Sequence, residues 1–128
     1  MNIPNHLKYT KEHEWAKLEG KIVTVGITDH AQNSLGDIVF SELPAVGRVL
    51  KVGETFGVVE SIKAVSDLYS PLAGKVSEIN SHTVNEPALV NQNPHSSAWL
   101  IKLELIDPGS ASKLMSATDY AKYVETLK

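Results

Sequence analysis

A chain of 128 residues is long enough for one domain with a real core and short for two. Its 42% apolar and 21% charged content is that of an ordinary soluble globular protein, and a net charge of −3 with no run of Lys or Arg argues against a nucleic-acid binder. The lack of cysteine excludes disulfides, thiolate metal sites and cysteine nucleophiles, and no stretch approaches the roughly 18 consecutive apolar residues of a membrane span.

Met1 to Lys8 has neither the apolar stretch of a signal peptide nor the Arg-rich helix of a transit peptide. That points to a bacterial cytoplasm, or to the mitochondrial matrix if a presequence has been removed. Residues 15–18 and 22–27 flank Glu19-Gly20-Lys21 and read as a hairpin with glycine at the turn. In the second of these, Val23, Val25 and Ile27 share one face, with Thr24 and Gly26 on the other. Asp29 is placed to cap a short internal helix, with Gln32 three residues on and Gly36 closing it. Residues 38–43 form a strand stopped by Pro44, and residues 46–52 a short one. Gly53-Glu54 then turns the chain into a strand over 55–62, and another follows the Pro71…Gly74 break over 75–79.

Residues 80–97, rich in Asn, Pro, Ser and Thr, read mostly as loop. Beyond them Trp99, Ile101, Leu103 and Leu105 alternate with Leu100, Lys102, Glu104 and Ile106, which is strand periodicity. Ser116 precedes Asp119 by three residues, and Tyr120, Tyr123, Val124 and Leu127 recur at helical spacing, so the chain ends in a helix. Short strands punctuated by Gly and Pro predict a mainly β fold, a sandwich or flattened barrel, as one domain over 1–128. There is no repeat of fixed period and no low-complexity tract.

One segment invites a functional reading. Residues 57–74, GVVESIKAVSDLYSPLAG, support a strand entering and a strand leaving, with Lys63 near the middle. A lysine at a hairpin tip is reachable by a modifying enzyme, and acylation needs a free amine. Turn chemistry does not place it, because the tip has no Gly, Asn or Pro. On spacing alone an exposed strand lysine without a role is the simpler account.

Glu60-Ser-Ile-Lys63-Ala-Val-Ser-Asp67 resembles the lipoyl-attachment signature of the glycine cleavage system H-protein family. Leu7-Lys-Tyr9, His13-Glu-Trp15, Val25-Gly-Ile-Thr-Asp-His-Ala-Gln32 and Leu35-Gly-Asp37 are similar to family landmarks in family order. So are Ser70-Pro71, Gly74, Leu89-Val-Asn91 and the Trp99 strand, and the likeness covers almost the whole chain. Biotin carriers usually flank their lysine with methionines, and the lipoyl domains of 2-oxo acid dehydrogenase complexes usually place an acidic residue before it. Ile62 and Ala64 depart from both patterns.

The resemblance implies a barrel-sandwich hybrid with Lys63 on an exposed hairpin, carrying lipoate covalently. It implies a carrier and not an enzyme: the P-protein, a pyridoxal-phosphate glycine decarboxylase, loads the aminomethyl group of glycine onto the lipoyl group. The T-protein, an aminomethyltransferase, passes the one-carbon unit to tetrahydrofolate, and the L-protein, dihydrolipoyl dehydrogenase, reoxidises the dithiol. A lipoylating enzyme is a fourth partner. Glu14 and Asp67 match positions where the family supplies carboxylates to a cleft that shelters the loaded arm, and Glu12 adds another negative charge. Glu60 is a candidate recognition feature for the lipoylating enzyme. As solvated surface acids, these four need no role at all.

Competing constellations are thin. His13-Glu14 lacks the second His of the HExxH zinc pattern, and His6, His30, His82 and His95 are scattered without a Cys to join them, so no metal site is expected. Ser61 and Ser66 lack a G-x-S-x-G elbow or an S-x-x-K motif, and no Gly-rich nucleotide loop is present. Trp15 and Trp99 read as core. Two rivals remain at this stage. One is a relay that supplies lipoyl groups to other 2-oxo acid dehydrogenase complexes, and the other is a small enzyme with Lys63 as a Schiff-base lysine in a desolvating pocket.

Overall fold

The computed structural model describes residues 2–127; Met1, where the reading of the N-terminus starts, and Lys128 lie outside the described residues. In chain order the strands are β1 (Lys8–Tyr9), β2 (Glu14–Glu19), β3 (Ile22–Ile27), β4 (Ile38–Glu42), β5 (Val49–Leu50), β6 (Thr55–Ser61), β7 (Val65–Tyr69), β8 (Gly74–Ile79) and β9 (Ile101–Leu105). The helices are α1 (Asp29–Leu35), α2 (Ser81–Asn85), α3 (Leu89–Gln92) and α4 (Ala117–Glu125), with a 3-10 turn over Pro108–Lys113. A six-stranded sheet in the order β1-β2-β3-β9-β8-β5 faces a three-stranded sheet in the order β4-β6-β7, so the fold is the mainly β sandwich that the alternation predicts.

The period-two pattern sets the core. Val23 and Val25 stand opposite Leu103 and Ile101 across the β3–β9 ladder, and Val76 of β8 stands opposite Leu103. The smaller sheet turns Ile38, Phe56, Val59 and Leu68 to meet them, and all are buried. Each contributes on the order of 1.5–3 kcal/mol by leaving water. A second cluster lies outside this sandwich, where Tyr120 and Val124 of α4 pack on Leu7, Tyr9 and Trp15. Ser116 caps α4 as its spacing predicts, its Oγ accepting from the Asp119 N–H at 3.1 Å.

Gly26 lies against that second cluster. It pairs with Trp15 across the β2–β3 ladder, and the indole lies on it, donating from Nε1 to the Pro94 carbonyl at 2.8 Å. A Cβ on Gly26 would stand 2.6 Å from the Trp15 ring, so the buried indole must move and surrender that hydrogen bond. Gly26→Ala should cost about 1–3 kcal/mol and lower Tm by roughly 5–15 °C. Scanning calorimetry checks it, and an unchanged Tm would mean the indole relocates without cost.

Three sequence expectations change. Thr28, not Asp29, is the N-cap of α1: its Oγ1 accepts from the Ala31 N–H at 3.2 Å, while Asp29 begins the first turn and accepts from the Gln32 amide at 2.7 Å. Of residues 46–52 only Val49–Leu50 is strand, because Gly47 turns the chain at φ +97° and Arg48 N–H bonds back to Ala45. Residues 80–97 hold α2 and α3, since Asn80, read as a turn former, caps α2 instead: its side-chain oxygen accepts from the His82 N–H while its amide donates to the Ser97 and Trp99 carbonyls.

Candidate functional site: the lysine hairpin and its neighbouring cleft

β6 and β7 pair up to Glu60↔Val65, and the tip is Ser61 to Ala64. A two-residue hairpin loop usually needs positive φ at its centre, hence Gly or Asn. Ile62 and Lys63 do without it, for His13 is the only non-glycine at positive φ among the described residues. Ser61 supplies the alternative. Its N–H donates to the Ala64 carbonyl at 2.8 Å, and its Oγ accepts from the N–H groups of Lys63 at 3.3 Å and Ala64 at 3.1 Å. The backbone under Lys63 is therefore tied down while its side chain is exposed, with no ion pair among the described residues.

The lysine stem runs beside the end of α1. A Cβ on Gly36 would be 3.5 Å from Lys63 Cε, and Gly36 sits at φ +82°, ψ −159°, a conformation reserved for glycine. Asn91 fixes this junction. Its amide donates to the Gly36 carbonyl at 2.8 Å and to Gln32 Oε1 at 3.0 Å, and its oxygen accepts from the Ile38 N–H at 2.8 Å. Lys63 stands in the open at the tip and outside the cleft beyond β7, so the desolvating surroundings of a Schiff-base lysine are missing.

That cleft, of about 510 Å³, opens between β1–β2 on one side and the β7–β8 connection on the other. Tyr9, Tyr69, Pro71, Leu114 and Met115 give it an apolar lining, with Glu14 buried and Lys11, Glu12 and Lys113 at exposed positions. Met115 is held there by reciprocal backbone hydrogen bonds with Tyr9, both 2.9 Å. Glu14 is only 1% exposed, which removes it from the class of solvated acids. Thr10 Oγ1 donates to its Oε1 at 2.8 Å, and the Tyr69 N–H donates to its Oε2 at 3.3 Å. Burial pushes the Glu14 carboxyl up to about 8; its two hydrogen bonds pull the other way, and the nearby Glu12 carboxylate adds to the rise. No cation pairs with it among the described residues. It is a buried acid whose carboxylate form a cation entering the cleft would favour.

The fold thus brings Glu12 and Glu14 together and sets the other two acids apart. Asp67 is exposed and lines a separate hollow of about 400 Å³ with Glu42, Arg48 and Val58. Glu60 is half-buried on β6, beside the hairpin tip. Thr10 and Tyr69, which orient the Glu14 carboxyl, carry no sequence signal: the cleft is assembled from distant segments, and one of its two donors is a backbone N–H. The histidines are less scattered than their spacing suggests. The His13 and His30 rings lie 4.5 Å apart, tilted by 41°, and His13 Nδ1 meets the Tyr120 hydroxyl at 2.7 Å. Burial, and secondarily His30, lowers His13 to about 4, so the His13 ring packs neutral. No group of three or more metal-ligating side chains occurs among the described residues.

With this geometry in hand, comparison with known proteins is direct. A family model described as glycine cleavage H-protein matches residues 7–127. The chain is 51% identical to the glycine cleavage system H protein of Carboxydothermus hydrogenoformans over 96% of this chain and 95% of that one. It is 52% identical to its counterpart in Bacillus cytotoxicus over 95% of this chain and 96% of the relative. The crystal structure of a glycine cleavage system H protein from Mycobacterium marinum superposes with a TM-score of 0.89 at 38% identity, covering 96% of this chain and 99% of that one.

Proposed function

From the premise that the chain belongs to the glycine cleavage H-protein family, whose members are lipoyl carriers and not enzymes, we propose that Lys63 is its lipoyl-attachment residue. The observation that carries this reading is the tip itself: Ser61 pins the backbone from below while the amine stands exposed. An acylating enzyme needs that combination, a fixed backbone to read and a free nucleophile to modify. When bound, the lipoyl group supplies the thiol and disulfide chemistry by which the aminomethyl group of glycine passes from the P-protein to the T-protein, with the L-protein restoring the disulfide.

The rest falls to this chain's own residues. Lys63 anchors, so that diffusion of an intermediate is replaced by a tethered search among partners. Glu14 offers a buried acceptor, aimed by Thr10 and the Tyr69 N–H, for a protonated amine entering the cleft, and the apolar walls exclude water around it. Glu12 adds a negative charge on the cleft wall, where Lys11 and Lys113 also stand. The reading takes residues 1–128 as one carrier domain. No helix among the described residues is long and apolar enough to cross a membrane; a cytoplasmic site beside the other glycine cleavage components is part of the proposal.

The test is intact mass of protein made in lipoate-replete cells, followed by peptide mapping. The expected result is a single lipoyl increment on the peptide containing Lys63. An increment of another mass, or lipoyl on a different lysine, would sink the reading.

A further inference from the structure

The outer face of the β4-β6-β7 sheet sets exposed apolar side chains among acids. Residues opposed across antiparallel strands share a face. Phe40↔Glu60↔Val65 form one row directly behind the hairpin tip, and Glu42↔Val58↔Asp67 form the next. The alternate row, Ser41↔Val59↔Ser66, carries the buried Ser41 and Val59, so the first two rows point outward. They make a chequerboard: an acid between two apolar side chains, then an apolar side chain between two acids.

Phe40 is 44% and Val65 66% exposed, and Ile62, next to the lysine, is 79% exposed. Three carboxylates stand in this patch, and its rows hold no basic residue. Arg48, at the margin beside Asp67, already donates to Glu54 at 3.0 Å and to the Thr55 carbonyl at 3.1 Å. The outer face of the larger sheet mixes signs instead, with Lys17↔Thr24↔Lys102↔Glu78 in one row. Apolar side chains left exposed in such a cluster mark an interaction surface, and the one-signed charge between them specifies the partner's sign.

We propose that this face is the docking surface for the enzyme that acylates Lys63, which meets it with basic side chains set among apolar ones. The proposal rests on the reading of Lys63 as the attachment residue. Location selects this occupant among possible partners. An enzyme acting on Nζ itself must come within about 6 Å of the tip backbone, the length of a lysine stem, and so must cover the adjoining rows. Partners that work on a finished arm meet it farther out. In the covered step Nζ attacks the acyl carbon of an activated donor held by that enzyme. The Nζ–C bond forms, the donor's leaving group departs with its bonding pair, and Nζ releases a proton. Asp67 thereby takes a role as a docking residue rather than as part of the Glu14 cleft.

The experiment is acylation of the full chain by a purified lipoate–protein ligase with lipoate and ATP, followed by mass spectrometry. Glu42→Lys/Asp67→Lys, which leaves the lysine and its turn untouched, should raise KM for the carrier about tenfold with kcat changed less than twofold. Phe40→Ala should raise KM also, and wild-type KM should climb with salt more steeply than that of the double variant. Glu19→Lys/Glu104→Lys on the other sheet, carrying the same charge change, should stay within twofold of wild type. Melting curves establish that each variant is folded. Wild-type-like kinetics for Glu42→Lys/Asp67→Lys would overturn the proposal. So would intact acylation with impaired glycine decarboxylation, which would hand the face to the decarboxylase. Wild type acylated elsewhere than Lys63 is a different result, and it removes the underlying reading along with the proposal.

Discussion

Lys63→Ala should reduce glycine decarboxylation with the P-, T- and L-proteins to the level seen without any carrier, while leaving the fold intact. The two halves rest on different observations. Loss is complete because no other lysine among the described residues occupies a serine-clamped tip between two strands; an enzyme that reads this hairpin finds its acceptor here. Folding is spared because the side chain is exposed and makes no ion pair, its stem only passing beside Gly36. Surface truncations of this kind shift stability by about 0.5 kcal/mol or less. Lys63→Arg sharpens the test: it keeps the positive charge and the stem, yet a guanidinium that stays protonated is no acyl acceptor. Both variants should melt with wild type and both should be inactive. Full decarboxylation supported by Lys63→Ala would end the proposal, and an active Lys63→Arg would show that charge, not attachment, is what partners require.

The hairpin also shows how far the sequence was readable. Alternation places the two central strands β3 and β9, though β9 begins at Ile101 and not at Trp99, because burial of one face is written directly into period two. The cap of α4 was equally legible, since Ser116 and Asp119 are local partners. The tip of Lys63 was not, because hairpin rules look for Gly or Asn and the turn is made by a serine side chain. The stretch 80–97 reads as loop for a related reason: Asn caps helices and makes turns with the same hydrogen bonds, so composition cannot tell a loop from two short capped helices. The family likeness points to both Glu14 and Asp67. Only the fold separates them, burying one behind Thr10 and Tyr69 and leaving the other exposed beside Glu42.

Burial of Glu14 has a measurable consequence in stability. Its carboxyl, ordinarily at 4.5 and here pushed up to about 8, keeps its proton in the folded protein where the unfolded chain has released it. The contribution is thus fully present below pH 4.5 and is lost as pH rises through 8, with stability falling across that window. The half-buried His13, lowered to about 4, acts in the opposite sense, but only below its ordinary value of 6.5, so the clean window lies above that. From pH 6.5 to 9, at ~1.4 kcal/mol per pH unit, wild type should lose about 2 kcal/mol, or roughly 5–10 °C in Tm. Glu14→Gln should be nearly flat over the same range and more stable than wild type at pH 9. The amide can preserve both contacts, its oxygen accepting from the Tyr69 N–H and its NH₂ donating to Thr10. A wild-type Tm independent of pH from 6.5 to 9 would contradict a protonated, waiting Glu14. The same logic extends to the loaded state: a primary ammonium brought into the cleft favours the carboxylate, so Glu14 gives up its proton as the cation arrives and the slope with pH should shrink. Glu14→Gln removes that response because an amide has no charge to return, leaving the amine held by ordinary hydrogen bonds and more exposed to premature loss.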